Sequence, residues 1–161
     1  MIEIQKYFKT YKLSNDLIVK VQIIDIPGYK QFRDIYELSF GKANSIILVY
    51  DITNKYSFDE CKNYFSLKIK EKCKDNVKVI LLGNKSDLEN DRVVSYEEAK
   101  NFADLNNYIF TEISCLKNEN IFELFQELIG LTVIKNKNIN SKIKQNDIKN
   151  ENEKNNLCYI I

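Results

Sequence analysis

The sequence contains no histidine, no tryptophan and a single proline among its 161 residues. Its four cysteines, Cys61, Cys73, Cys115 and Cys158, show neither C-x-x-C nor zinc-ligand spacing. Because zinc sites of the nitrogen and sulfur type are built from histidine and cysteine, this composition argues against such a metal cage. Cysteines without a disulfide framework are typical of a reducing cytosol.

An excess of charge of one sign is also absent, since 24 basic and 23 acidic residues give a net charge of +1. Nucleic-acid-binding surfaces carry a clear positive excess, so we expect no nucleic-acid partner. No apolar run approaches membrane-spanning length, and the N-terminus lacks the charged and then apolar pattern of a signal peptide. With 44% hydrophobic residues, the length fits one globular domain with a sizeable core.

The sequence has four glycines and no Gly-rich phosphate-binding loop. At the end of the apolar run 77–83 it has instead Asn84-Lys85-Ser86-Asp87. The Asp87 carboxylate can accept two parallel hydrogen bonds, which suits the ring N–H and exocyclic amine of guanine but not adenine. Asn84 can bond the base edge or brace the loop, and the stem of Lys85 can lie along the ring. Alone, the same string also fits a polar turn that closes a strand.

A second strand-end motif is Asp25-Ile26-Pro27-Gly28, after the strand-like stretch 18–24. It is predicted to place the Asp25 carboxylate near a metal and the Gly28 backbone N–H near a terminal phosphate. Proline followed by glycine also makes an ordinary turn, so the motif is ambiguous by itself.

A third motif, Ser114-Cys115-Leu116, follows the strand-like stretch 108–113, and there a backbone N–H can meet the base carbonyl. Taken together, the three motifs favour a guanine-nucleotide site over three unrelated turns, because they occur in the order that such a site requires.

These motifs make the chain similar to Ras-superfamily GTPases, and to the Rab branch in particular, from near Met1 to about Ile134. The resemblance implies guanine nucleotide (GTP or GDP) and Mg²⁺ as cofactors, and GTPase regulators or effectors as partners. Its matching stretches are Phe8-Lys9-Thr10, Asp25 to Gly28, Gln31-Phe32-Arg33, Leu48 to Thr53, Ser57-Phe58, Gly83 to Asp87 and Glu112-Ile113-Ser114.

The chain departs from the family pattern at the phosphate side of the site. The family's first strand, its G-x-x-x-x-G-K-[ST] loop and the helix after it would all precede the equivalent of Ile2. The metal-binding switch threonine aligns with Glu3, and Tyr29 replaces the water-orienting glutamine. Pro27 stiffens a loop that must move between states. We therefore expect weak nucleotide binding, doubtful Mg²⁺ binding and slow or absent GTP hydrolysis, with no catalytic residue assigned.

The predicted fold class is α/β, an incomplete Ras-like P-loop NTPase (G-domain) fold with helices on both faces of a mixed sheet. Alternating residues in 2–13 and 17–26 predict an antiparallel N-terminal hairpin. The almost continuously apolar runs 46–50 and 77–82 predict buried parallel strands. In the family, the absent strand lies between the second strand of the hairpin and strand 46–51. We expect direct pairing of these two strands or a gap filled by another chain, with reduced stability in either case.

Helical periodicity appears in three places. A stripe of apolar residues predicts a helix whose cysteines fill the core, and Ser95 with Glu98 forms a capping box that opens a second helix. A third stripe predicts the last helix, in which no helix-breaking residue occurs before Gly130. The residues of the first and third stripes are Phe58, Cys61, Phe65, Ile69 and Cys73, and Ile121, Leu124, Phe125 and Leu128.

We divide the chain into a truncated small-GTPase domain (1–134), a disordered Lys/Asn-rich tail (135–157) and a prenylation box (158–161). From residue 135 onward, six lysines against three acidic residues give +3, which leaves −2 for the rest. That asymmetry fits an anionic membrane surface and equally a solvated linker. Cys158-Tyr159-Ile160-Ile161 matches a C-a-a-X box, with an aromatic residue at one aliphatic position. We expect lipidation of Cys158, and location on the cytoplasmic face of a membrane with a cytosolic pool.

Three hypotheses about function remain open at this point. The first is a Rab-like GTP-binding switch of membrane traffic or signalling. The second is a prenylated, non-catalytic pseudo-GTPase that acts as an interaction module. The third is a nonfunctional gene remnant.

Overall fold

The structure is a computed structural model that describes residues 4–12, 18–74, 77–131 and 157–160. The strands are β1 (Gln5–Lys12), β2 (Ile18–Asp25), β3 (Ser45–Asp51), β4 (Lys78–Asn84), β5 (Ile109–Glu112) and β6 (Leu157–Ile160). The helices are α1 (Arg33–Phe40), α2 (Lys55–Glu60), α3 (Ser66–Lys72), α4 (Tyr96–Leu105) and α5 (121–131). A π turn, Cys61–Phe65, joins α2 to α3. Within these ranges, no helix has both the length and the apolar character needed to span a bilayer.

The strands form one mixed sheet in the order β1-β2-β6-β3-β4-β5. β1 pairs antiparallel with β2, from Gln5 opposite Asp25 to Lys12 opposite Ile18, which confirms the predicted hairpin. The connection between the two strands, residues 13–17, lies outside the described residues. β3, β4 and β5 are parallel neighbours, so the predicted α/β fold is confirmed.

β4 is the most deeply buried strand because both of its faces are covered. Val79 and Leu81 pack into a cluster with residues of α1 to α4, whereas Ile80 and Leu82 pack with α5 on the other face. This two-sided burial is the reason the strand is continuously apolar, and it confirms the prediction of helices on both faces.

The helices largely follow the predicted stripes. Ser95 caps α4, and its hydroxyl accepts a hydrogen bond from the Glu98 backbone N–H at 3.1 Å. The Glu98 carboxylate pairs with Lys55 of α2, so this residue ties two helices together. Sequence analysis missed α1, although Phe32 and Phe40 are spaced eight residues apart, as one face of a helix requires.

β6 is the main departure from the predicted fold. It lies between β2 and β3, where it pairs in parallel with β2 from Leu157 opposite Lys20 to Ile160 opposite Ile23. The predicted direct pairing of β2 with β3 is therefore wrong, whereas the alternative of a gap filled by another chain stays a prediction. An extended C-terminal segment of the same chain pairs with backbone groups of β2 in the sheet centre and meets β3 only at Ser45. Leu157 falls in the predicted disordered tail, and the rest of that tail, 135–156, lies outside the described residues.

Candidate nucleotide-binding site

The site residues lie at the carboxyl ends of two neighbouring parallel strands. Gly83 of β4 is opposite Glu112 of β5 in the register, and the Ile113 N–H donates to the Gly83 carbonyl at 2.8 Å. The loops that follow the two strands therefore begin side by side. This is how the fold brings Asn84 and Ser114, thirty positions apart in sequence, to one edge of the sheet.

Gly83 is a glycine because no side chain fits at that position. A Cβ there would lie 2.8 Å from the Tyr50 hydroxyl and 2.9 Å from Cγ of Glu112. Both distances are shorter than carbon atoms tolerate. The close approach of these three residues fixes the end of β4, from which the predicted guanine-reading loop departs.

Asn84 braces the two loops against each other. Its side-chain Oδ1 accepts hydrogen bonds from the Lys85 N–H at 2.8 Å and from the Cys115 N–H at 3.2 Å. These contacts place Oδ1 of Asn84 in the bracing role, and a contact of its amide nitrogen with the base edge stays a prediction. The amide holds the loop that contains Ser114 to Leu116 next to the loop that contains Asp87.

Lys85 turns the chain sharply at the end of β4. Its backbone is left-handed, with φ of 67°, and its ammonium Nζ lies 2.6 Å from Oδ2 of Asp51, the last residue of β3. Oδ1 of Asp51 also accepts from the Thr53 N–H at 2.8 Å and the Thr53 hydroxyl at 2.7 Å. Burial alone would raise the pKa of Asp51, but Lys85 and Thr53 outweigh it and lower that pKa.

Asp87 is held by a buried serine. The Ser114 hydroxyl donates to Oδ1 of Asp87 at 2.5 Å and accepts from the Lys117 N–H at 3.1 Å. Ser114 is fully buried, so its orientation is fixed by these contacts. A carboxylate accepts about four hydrogen bonds, which leaves Asp87 able to take further donors. Next to it, Cys115 and Leu116 are exposed.

An ion pair that sequence analysis did not predict joins Arg92, at the end of the loop after β4, to Glu112 of β5. The two terminal guanidinium nitrogens of Arg92, Nη1 and Nη2, donate to the Glu112 carboxylate at 2.9 Å and 2.7 Å. The Arg92 and Glu112 side chains are only 15% and 11% exposed. Glu112 raises the pKa of Arg92, and burial followed by Glu112 raises the pKa of Tyr50. No local sequence signal pairs these residues, because they are twenty positions apart and meet only in the folded sheet.

The Asp25 to Gly28 motif lies elsewhere on the sheet. Asp25 is exposed at the end of β2, and β6 and β3 separate that strand from β4. At roughly 4.8 Å per strand, the lateral distance between β2 and β4 is roughly 14 Å. Gly28 has open space around it, and Tyr29 is 57% exposed. The structure therefore brings together the base-side residues Asn84 to Asp87 and Ser114 to Leu116, and leaves Asp25 and Gly28 apart from them.

A cavity of about 240 Å³ lies beside the edge of β3, on the side away from β4. It is lined by Gly28, by residues 46–49 of β3 and by residues of α1, α2 and the π turn. None of Asn84, Lys85 and Asp87 contributes to its wall. The cavity and the base-side loops are thus separate features of the same sheet.

Comparison with known proteins identifies the family, since the Ras family model matches residues 1–134. This chain belongs to the Ras family. It is 39% identical over 117 residues to Ras-related protein Rab-3A of Homo sapiens, and 41% identical over 117 residues to Ras-related protein Rab-1 of Theileria parva. Each match covers 73% of this chain and 53% of the relative, so the chain spans about half the length of these curated relatives. The similarity places it near the Rab branch of the Ras superfamily.

The metal side of the site has a single predicted ligand, Asp25. Mg²⁺ takes one or two carboxylates together with phosphate oxygens in near-octahedral geometry. Asp25 is the predicted metal ligand, and among the described residues no group of three His, Cys, Asp or Glu side chains could hold a metal ion. The described residues therefore do not fit a resident Mg²⁺ by themselves.

Proposed function

We propose that this chain is a Rab-like small GTP-binding protein in which the loop Asn84 to Asp87 recognises guanine. The observation that carries the proposal is the contact between Asp87 and the buried Ser114 hydroxyl, which fixes a carboxylate at the junction of two strand-end loops. A carboxylate fixed in this way can accept the ring N–H and the exocyclic amine of guanine together. Adenine offers no such pair of adjacent donors.

The neighbouring residues would complete the base site. Lys85 keeps its ammonium at Asp51, so its methylene stem is held beside the loop, where it can cover one face of the ring. The Cys115 N–H donates a hydrogen bond to the Asn84 side chain, which holds the backbone of Ser114 to Leu116 next to the same loop. Its N–H groups would meet the base carbonyl.

We further propose that a polypeptide of these 161 residues binds GDP and GTP weakly. The sequence contains no G-x-x-x-x-G-K-[ST] loop to donate backbone N–H groups and a lysine to the phosphates. Each charge-assisted hydrogen bond contributes roughly 1.5 to 3 kcal/mol, so the loss of three removes roughly 4.5 to 9 kcal/mol. That loss corresponds to an affinity lower by roughly 10³ to 10⁶.

GTP hydrolysis by this polypeptide is proposed to be slow or absent. Tyr29 follows Gly28 in place of an amide side chain, and its phenol is 57% exposed. A phenol has one oxygen for both hydrogen-bonding roles, so it cannot orient an attacking water with a separate carbonyl acceptor and N–H donor as an amide does. A single-turnover GTP assay at saturating protein tests this point, and rapid phosphate release would contradict it.

The proposed cellular role is in membrane traffic or signalling, with GTPase regulators or effectors as partners and no nucleic acid. Cys158 is the proposed lipidation site. One prenyl chain together with the Lys-rich segment would supply the two signals that stable attachment needs. The proposed location is the cytoplasmic face of a membrane, with a cytosolic pool.

A second candidate function is a non-catalytic interaction module that carries the same lipid. The observation that favours it is β6, because a strand of the protein itself fills the position between β2 and β3. Such a protein would present α1 and the hairpin to regulators or effectors without cycling between nucleotide states. GDP binding at residues 84–87 that ADP does not reproduce would favour the first candidate, and no GDP binding even at millimolar concentration would favour the second.

The guanine site is best tested by nuclear magnetic resonance on the ¹⁵N-labelled chain, titrated to millimolar GDP, ADP or xanthosine diphosphate. GDP should shift the amide signals of residues 84–87 and 114–116, and ADP should not. The Asp87→Asn variant presents an amide, so it should lose the GDP shifts and gain shifts with xanthosine diphosphate, whose second carbonyl replaces the amine. Equal responses to GDP and ADP in the unaltered chain would contradict guanine recognition.

A further inference from the structure

We propose that the C-terminal segment Leu157–Ile160 binds reversibly to the sheet between β2 and β3. Cys158 cannot be prenylated while the segment occupies that position. This inference rests on the proposed lipidation of Cys158. It adds that modification and strand insertion are mutually exclusive states of the same residues. The strand would then have to leave the sheet before Cys158 is modified.

The register of β6 is the first observation behind the proposal. Four consecutive residues pair with β2, with Cys158 opposite Val21 and Ile160 opposite Ile23. Val21 is fully buried, in the cluster that also contains α5 residues. The backbone of the lipidation site is therefore part of an interior strand of the sheet.

The second observation is that β6 is attached unequally on its two sides. Toward β3 it has one register pair, Ser45 opposite Ile160, whereas the pairing of β3 with β4 extends over the whole strand. Among the described residues, β3 therefore has no strand partner on this side beyond Ser45. A strand attached mainly along one edge can leave without separating β3 from β4, so release of β6 does not require unfolding of the base-side half.

Chemistry explains why the two states exclude each other. Prenyl transfer forms a bond between the Cys158 sulfur and C1 of a prenyl diphosphate, breaks the C1–O bond and releases diphosphate, and the thiol proton goes to solvent. A transferase must surround the thiol and the residues after it to align these atoms. Residues that pair with β2 cannot enter such a site at the same time.

The test fastens β6 in place without altering Cys158 or the residues after it. Lys20 and Leu157 are register partners on adjacent strands, so their Cα atoms are separated by roughly 4.8 Å, within the range of a disulfide. The variant Lys20→Cys/Leu157→Cys is oxidised, and the bond is located by mass spectrometry. The control is Thr10→Cys/Leu157→Cys, because Thr10 lies opposite Lys20 on β1, one strand farther away.

Each variant is then incubated with farnesyl or geranylgeranyl diphosphate and the corresponding transferase, in oxidised and reduced form. We expect efficient crosslinking only in the Lys20 variant, and at least tenfold slower prenylation of its oxidised form than of its reduced form. The oxidised control should be modified at the rate of its reduced form, which shows that the transferase tolerates the conditions.

The other outcomes are distinguishable. Crosslinking no more efficient at residue 20 than at residue 10 would overturn the strand position of β6. Equal prenylation of the crosslinked and reduced forms would overturn the mutual exclusion. Absence of prenylation in every reduced form would overturn the proposed lipidation, and with it the exclusion, while the crosslink still reports where the segment lies.

Discussion

β4 pairs with β3 from Lys78 to Asn84, whereas β6 meets β3 at the single pair of Ile160 with Ser45. The side of the sheet formed by β3, β4 and β5 also carries the cross-linked loops around Asp87 and the ion pair of Arg92 with Glu112. The side formed by β1, β2 and β6 joins segments from the two ends of the sequence. We call these the base side and the terminal side of the sheet.

The difference shows that the proposed guanine site is formed by one continuous stretch of the chain. All the described contacts that position Asp87 come from residues 51 to 117, and none requires β1, β2 or β6. Short loops of this kind close at lower entropic cost than a strand recruited from residue 157. The base side should therefore be the more stable of the two, and the following predictions test that view.

The largest effect is expected for Glu112→Ala, which leaves the largely buried guanidinium of Arg92 without its buried carboxylate partner. Breaking such a pair costs about 3 kcal/mol of the free energy of unfolding. Urea denaturation measures the loss. Glu89→Ala is the control, because Glu89 binds the same guanidinium but is 67% exposed, and its removal should cost less than about 1 kcal/mol. Similar losses for the two variants would show that the Glu112 pair does not hold the base side together.

A smaller effect is expected for Gly83→Ala, because the new methyl group would meet Tyr50 and Glu112 at 2.8 Å and 2.9 Å. Overpacking of this kind costs about 2 kcal/mol, measured again by urea denaturation. Gly28→Ala is the matched control, since no atom lies within 4 Å of its added Cβ. An unchanged midpoint for Gly83→Ala would mean that the end of β4 is looser than described.

Ser114→Ala should cost about 1.5 kcal/mol, because it removes a hydrogen bond to the charged Asp87. It should also release the Asp87 side chain and weaken any GDP-induced shifts at residues 84–87. Ser86→Ala is the control in the same loop, since its N–H bond to the Ile113 carbonyl is a backbone contact and survives the change. If both variants bind GDP alike, Ser114 does not position the carboxylate.

The smallest effect is a dependence of stability on alkaline pH. Burial, followed by the nearby Glu112, raises the pKa of Tyr50, so the folded protein favours the protonated phenol. This contribution is fully present below the ordinary tyrosine pKa of about 10 and is lost as pH rises above it, by at most about 1.4 kcal/mol per pH unit. Thermal unfolding between pH 9 and 11 should decline less steeply in Tyr50→Phe. Parallel declines would assign the alkaline loss to other groups.

Local sequence patterns predicted much of the base side. The apolar run that ends at Gly83 predicted β4, and the residues Asn84 to Asp87 predicted the loop that follows. The Ser95 capping box correctly opened α4. These signals are readable because each depends on residues a few positions apart, where strand periodicity, turn chemistry and helix capping act.

The features that sequence reasoning missed depend on distant residues. Nothing near Arg92 indicates that its partner is Glu112, and nothing in the polar segment after residue 135 indicates that Leu157–Ile160 joins the sheet centre. The segment 157–160 is apolar enough for a strand, but four residues without a visible partner give no register. The bracing contact of Asn84 likewise could not be assigned without the position of the Cys115 N–H.

The most direct test of guanine recognition without a firm grip on the phosphates is the dissociation constant of GDP from the purified 161-residue chain, measured by fluorescence titration with and without Mg²⁺. We predict a constant well above the micromolar range that Mg²⁺ does not lower. Micromolar or tighter binding, or GDP that stays bound in stoichiometric amount through gel filtration, would contradict this account.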